Sequence, residues 1–144
     1  MSKFSLPLLH LLSLTLTGCC NTSKPVSSYT ELDSSYFVEP SHILDLEDNL
    51  VYFYSETCGH CENLKAEIFS VIITTNLPLL LCEYSEEIPV VFIKEEVFSN
   101  YENNIISIMG VPSLMIIKNK KITSYYVGES EVLQGFMDYR PTPL

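Results

Sequence analysis

The sequence predicts an α/β fold, and three observations point there. Residues 50–54, Leu-Val-Tyr-Phe-Tyr, form an unbroken apolar and aromatic run, as a central strand covered on both faces requires. A helical stripe begins directly behind it, at Cys58. Further on, the strand-like runs 113–117 and 121–126 flank Lys118-Asn119-Lys120, which predicts an antiparallel hairpin. With 144 residues and 47% hydrophobic content, the chain can bury one ordinary core, so a single folded domain is expected.

The N-terminus has the pattern of a secretion signal. Met1-Ser2-Lys3 is a short positive segment, and residues 4–16 are mostly apolar. That stretch is too short to span a bilayer, which takes about 20 apolar residues. It ends at Leu16-Thr17-Gly18-Cys19, and residues 1–18 are expected to be a signal peptide. Residues 19–35 turn to Asn, Thr, Ser, Lys and Pro with scattered acids, the composition of a flexible tether. The folded domain is therefore expected over residues 36–140.

Within the domain, Tyr36-Phe37-Val38 is a short strand candidate, and Ser41 is placed to cap a brief helix over 41–46. The strand at 50–54 follows. In the helix from Cys58, Leu64, Ile68, Val71 and Ile72 form the apolar stripe, and Pro78 ends the reach of the helix. Residues 77–87 stay open between a strand around Leu79-Leu80-Leu81 and a packed connection. Residues 88–93 are the next expected strand, with Pro89 near its start. From Glu96, residues Val97, Phe98, Tyr101, Ile105 and Ile108 recur at helical spacing, predicting a second helix that closes at Gly110. After the hairpin, Ser130 is the expected cap of a last helix, with Val132, Leu133, Phe136 and Met137 as its buried stripe.

The chemistry centres on Cys58-Gly59-His60-Cys61, which places two thiols at a helix start. Partial positive charge and unpaired N–H groups there stabilise a thiolate, so Cys58 is the expected nucleophile. Cys61, one turn along, can attack a mixed disulfide formed at Cys58 and release the substrate, so it is the expected resolving thiol. The other cysteines are Cys19, Cys20 and Cys82; Cys82 lies in an apolar run and is expected to be a buried, inert side chain. A net charge of −10 argues against nucleic acid and against electrostatic attachment to anionic lipid.

Two resemblances sharpen this reading. Leu16-Thr17-Gly18-Cys19 resembles the bacterial lipobox, which implies cleavage before Cys19 and a lipid on that cysteine. It implies an extracytoplasmic protein anchored in the cell membrane. Second, the order strand, Cys-x-x-Cys helix, strand, helix, then Gly110-Val111-Pro112-Ser113 opening a hairpin and a last helix, resembles the thioredoxin superfamily over roughly residues 36–140. That resemblance implies a three-layer α/β/α sandwich around a mixed sheet, and a cis Val111–Pro112 bond beside the dithiol. It implies that the Val111 backbone hydrogen-bonds an extended substrate peptide. Gly59-His60 matches the pair in protein disulfide isomerases and in some bacterial extracytoplasmic thioredoxin-like lipoproteins. His60 beside the thiolate then favours the reduced state, making the disulfide more oxidising.

Two positions depart from that family. Tyr52 stands where a buried acid usually relays protons to the resolving thiol, and Thr57 stands where tryptophan is common. A tyrosine, titrating near pH ~10 in model peptides, is a poor base at neutral pH. Glu56 or Glu62 could substitute through water, or each is a solvated surface carboxylate.

The expected activity is thiol-disulfide exchange on cysteine-containing exported proteins, with an unidentified membrane redox partner, no cofactor and a monomeric state. Direction, whether disulfide formation, isomerisation or reduction, stays open. A structural zinc site is not expected, since zinc needs four ligands and Cys58, His60 and Cys61 have no second pair. Copper(I) handling through the same cysteines, with Met109 and Met115 near the proline loop, is an alternative. A non-catalytic binding protein is the other.

Overall fold

The computed structural model describes residues 25–139. The signal-peptide, lipidation and Cys20 assignments lie outside those residues. Strand β1 (Asn49–Tyr54) leads into helix α1 (Gly59–Thr74), strand β2 (Leu79–Glu83), helix α2 (Lys94–Glu102), strands β3 (Ser113–Lys118) and β4 (Lys121–Val127), and helix α3 (Glu129–Asp138). The sheet order is β2-β1-β3-β4. β1 pairs parallel with β2 and antiparallel with β3, and β3 pairs antiparallel with β4, so the sheet is mixed.

Strand alternation explains why β1 and β3 are apolar throughout. Leu50, Tyr52, Tyr54, Leu114 and Ile116 face one side, where they meet Cys61, Leu64, Ile68 and Phe69 of α1 and Val132 of α3. Val51, Phe53, Met115 and Ile117 face the other, against Val97 and Tyr101 of α2 and Ile43. Two cores back to back on one sheet give the expected three-layer sandwich.

The hairpin turn holds Asn119 and Lys120 at φ 51° and 60°, the double left-handed backbone of a type I′ turn, whose twist suits the strands it joins. Asp48 caps it from outside, accepting the Asn119 N–H at 3.0 Å.

Several elements differ from the sequence reading. The open segment contains a strand: β2 takes the parallel place beside β1, with Leu81 opposite Tyr52. Residues 88–93 do not form the expected strand, because β1 is already paired on both edges. They make one bridge, Val90 to Ile108, and leave Phe92 88% exposed. Helix α2 ends at Glu102 rather than near Gly110. Asn104 turns left-handed at φ 61°, and the Ile105 N–H bonds back to the Asn100 carbonyl at 2.8 Å.

Helix α3 is capped by Gly128, not Ser130. Its φ of 89° is open to glycine, and Glu131 reaches back to the Val127 N–H at 3.2 Å. Leu133 and Met137, expected in the buried stripe, are exposed, and Gly135 occupies the contact instead. Tyr36-Phe37-Val38 contributes a single bridge, Phe37 to Leu81, and the helix expected over 41–46 is a 3₁₀ turn, Pro40–Asp45, entered through Pro40 rather than capped by Ser41.

Packed structure also begins before residue 36. Residues Tyr29–Glu31 form a 3₁₀ turn that Ser28 caps, and Tyr29 is buried against Tyr54, ring centroids 4.0 Å apart, and edge-on to Phe69 at 5.0 Å. The segment assigned to the tether therefore supplies a core aromatic; a tyrosine amid serines and threonines carries no periodic signal that would place it there. Tyr29→Ala is expected to lower unfolding stability by about 3 kcal/mol, the scale of losing a buried aromatic ring, as measured by urea titration. A loss under about 1 kcal/mol would return this segment to the tether.

Candidate active site

Strand β1 ends in a tight corner that sets the first thiol. The Cys58 N–H donates to the Ser55 carbonyl at 3.2 Å, while Ser55 and Thr57 hydroxyls bond each other at 3.0 Å. Cys58 is then the N-cap of α1 with extended backbone, φ −90° and ψ 116°. Its sulfur takes the place of the usual capping oxygen and accepts the Cys61 N–H at 3.2 Å. Gly59 and His60 fill the first turn, where a Cβ at Gly59 would meet nothing.

The second wall is the loop before β3. The Val111–Pro112 bond is cis, and the Cys58 thiol donates toward the Val111 carbonyl across 3.6 Å. Two braces hold that loop. The Met109 N–H donates to the Tyr125 hydroxyl at 2.8 Å, and the Gly128 N–H donates to the Pro112 carbonyl at 2.9 Å. Cys58, Cys61, Val111 and Pro112, distant in sequence, thus meet at one end of the sheet.

The third wall was not legible in the sequence. Glu129, at the start of α3, accepts from His60 Nδ1 at 2.5 Å and from the Asn63 amide at 3.0 Å. His60 is 77% exposed at its side chain, so this carboxylate is what fixes the ring. The hydrogen bonds from His60 and then Asn63 hold Glu129 below the ordinary carboxylate range. Nothing in local spacing ties Glu129 to His60; only the return of β4 beside β3 does.

The two thiols differ sharply in setting. Cys58 is half-buried, whereas Cys61 is 1% exposed, under the helix and facing Tyr52. Burial, reinforced by the hydrogen bond with Cys58, pushes the Cys61 thiol up to about 12. Burial likewise pushes Cys82 up to about 12 and lifts Tyr52 well above the usual phenol range. Glu56 and Glu62, considered as proton acceptors, are exposed, and Glu62 pairs with Lys65 at 2.5 Å.

Glu56, Thr57, Gly59 and His60 around Cys58 are exposed, whereas Cys61 is covered. A cavity of about 670 Å³ does lie between the N-terminal turns and β2, but its lining includes neither thiol. Among the described residues, no group of three or more His, Cys, Asp or Glu side chains converges as a metal site. No helix among them is long and apolar enough to cross a membrane.

A mixed-sheet sandwich carrying a dithiol at a helix start, beside a cis-proline loop, defines a redox protein of the Cys-x-x-Cys class. The thioredoxin family profile matches residues 36–138, and the chain belongs to the thioredoxin family. Family members are thiol oxidoreductases. No curated protein sequence matches the chain. Among solved structures, it is similar to thioredoxin from Aeropyrum pernix, with 20% identity over 69% of this chain and 80% of that one, TM-score 0.43. It is also similar to mitochondrial thioredoxin 3 from Saccharomyces cerevisiae, with 14% identity over 74% of this chain and 100% of that one, TM-score 0.44. Plasmodium falciparum thioredoxin gives 21% identity over 70% and 90%, TM-score 0.41. Family membership rests on the profile match.

The buried thiols set an alkaline limit. Below pH 9.0 folded and unfolded chains both keep these protons; between 9.0 and about 12 only the folded chain does, so rising pH favours unfolding. Stability of the dithiol form is expected to be level in this respect below pH 9.0 and to fall through that window, in urea titrations at stepped pH. Substituting Cys82→Ala should flatten part of the fall; a profile identical to the parent's would contradict a buried neutral thiol there.

Proposed function

We propose that this protein is a thiol-disulfide oxidoreductase, held at the outer face of a cell membrane by a lipid on Cys19 and acting on cysteine-containing exported proteins. The observation that carries the reading is the Cys58 sulfur at the start of α1, accepting the Cys61 N–H and facing the Val111 carbonyl. An extended peptide laid along Val111 would bring its own sulfur in line with Cys58.

Starting from the dithiol, Cys58 thiolate attacks one sulfur of a substrate disulfide. A Cys58–substrate bond forms, and the other substrate sulfur leaves as thiolate. Cys61 then attacks Cys58 Sγ, giving up its proton to the departing substrate sulfur; a Cys58–Cys61 bond forms, the mixed disulfide breaks, and the substrate leaves with two electrons gained. The same steps reversed form a disulfide in the substrate. The open surface around Cys58 suits a protein substrate, and the lipobox-like Leu16-Thr17-Gly18-Cys19 supports the membrane location. The Gly59-His60 pair supports formation or isomerisation of disulfides over reduction.

Cys58→Ser is expected to abolish both insulin reduction and the refolding of a scrambled disulfide substrate. Cys61→Ser should instead accumulate a mixed disulfide with the substrate, visible as a mass adduct. Retained turnover in Cys58→Ser would overturn the enzymatic reading. The location is checked by membrane fractionation, where Cys19→Ala should release the protein to the soluble fraction.

A further inference from the structure

Two hydroxyls lie buried behind the resolving sulfur with nothing to bond. Tyr52 is 0% exposed and Tyr29 5%, and neither hydroxyl has a hydrogen-bond partner among the described residues. Phenylalanine would fill either place without leaving a polar group unsatisfied, so two such hydroxyls around one sulfur call for a reason. Both tyrosines belong to the cluster that encloses Cys61. Tyr54 fixes them in place, its ring 4.0 Å from that of Tyr29 and 6.2 Å from that of Tyr52. The Tyr52 hydroxyl faces the Cys61 thiol closely enough to act on it electrostatically, while short of full hydrogen-bond geometry in this dithiol form. Tyr29 interacts with the same sulfur.

We propose that Tyr52 is a catalytic hydrogen-bond donor to Cys61, engaged when that sulfur carries negative charge, with Tyr29 as a positioning residue beside it. The inference rests on the thiol-disulfide exchange reading above. A neutral thiol is a weak acceptor, which leaves the hydroxyl idle in the resting dithiol; a thiolate is a strong one.

The charge appears on Cys61 at a definite step. With Cys58 and Cys61 joined as a disulfide, an incoming thiolate attacks Cys58 Sγ. A bond from that sulfur to Cys58 forms, the Cys58–Cys61 bond breaks, and its electron pair leaves on Cys61. The Tyr52 hydroxyl donates to that leaving sulfur in its apolar pocket, and solvent then supplies the proton that makes it a thiol. Tyr52 does not act as a base. Burial opposes its ionisation, as do the neighbouring cysteines; Glu56 and Glu62 add negative potential at Tyr29.

The test uses the full chain in detergent, as parent, Tyr52→Phe and Tyr29→Phe. Three quantities are measured: the rate at which dithiothreitol opens the Cys58–Cys61 disulfide at pH 7, the reduction potential, and the urea midpoint. Opening is expected to slow roughly tenfold or more in Tyr52→Phe, the scale of a lost hydrogen bond to a charged group, and by a smaller factor in Tyr29→Phe. Potential and midpoint should not fall, because the reduced Cys61 is a neutral thiol that makes no demand on the hydroxyl. Unchanged opening rates in both variants would overturn the inference, as would a slower rate accompanied by a lowered potential. Should Tyr52→Phe not fold, the rate of Tyr29→Phe decides alone. A parent protein that dithiothreitol never opens would instead sink the oxidoreductase reading itself.

Discussion

One sulfur atom at a helix start organises the rest of the site. Cys58 Sγ accepts the Cys61 N–H at 3.2 Å, so the thiol we propose as the nucleophile is also the group that caps the helix. Capping and charge pull in the same direction, since a thiolate is the better acceptor and the better match to the positive end of the helix. This arrangement depends on β1 arriving at a fixed height and angle. It does so because β1 is paired on both edges and covered on both faces, leaving the corner at Ser55–Thr57 no freedom to drift.

The helix sets the two thiols at different depths. Cys58 lies where a partner can reach it, whereas Cys61 is sealed under the turn and holds its proton far into alkaline pH. The seal comes partly from Tyr29, outside the stretch that matches the family profile. A segment resembling linker by composition therefore helps to bury the inner sulfur. On the opposite side, α3 contributes Glu129, which anchors the exposed His60 ring.

Much of this was legible from local pattern. An apolar run covered on both faces located β1, two strand-like runs around Lys118-Asn119-Lys120 located the hairpin, and the Cys-x-x-Cys spacing placed both thiols at the start of α1. Gly110-Val111-Pro112 pointed, through the resemblance to the thioredoxin superfamily, to the loop that the fold sets beside Cys58. Local pattern failed where two segments competed for one place. Residues 79–83 and 88–93 are both short apolar runs near a proline, and which of them pairs with β1 is a property of the assembled sheet. Ser130 has a capping side chain, yet Gly128 takes the position because the chain needs a left-handed φ to turn out of β4. Glu129, Asn63 and Tyr29 are joined to the site only through contacts between distant elements.

The bond from the Gly128 N–H to the Pro112 carbonyl, with Glu129 reaching His60 from the next residue, carries a consequence for biogenesis. The sulfurs are synthesised early, but the loop that faces them is held by the last strand and the last helix. A chain still emerging therefore exposes two ordinary cysteines without a formed site. The complete site, with its loop braced and His60 anchored, therefore exists only once the C-terminal elements are in place.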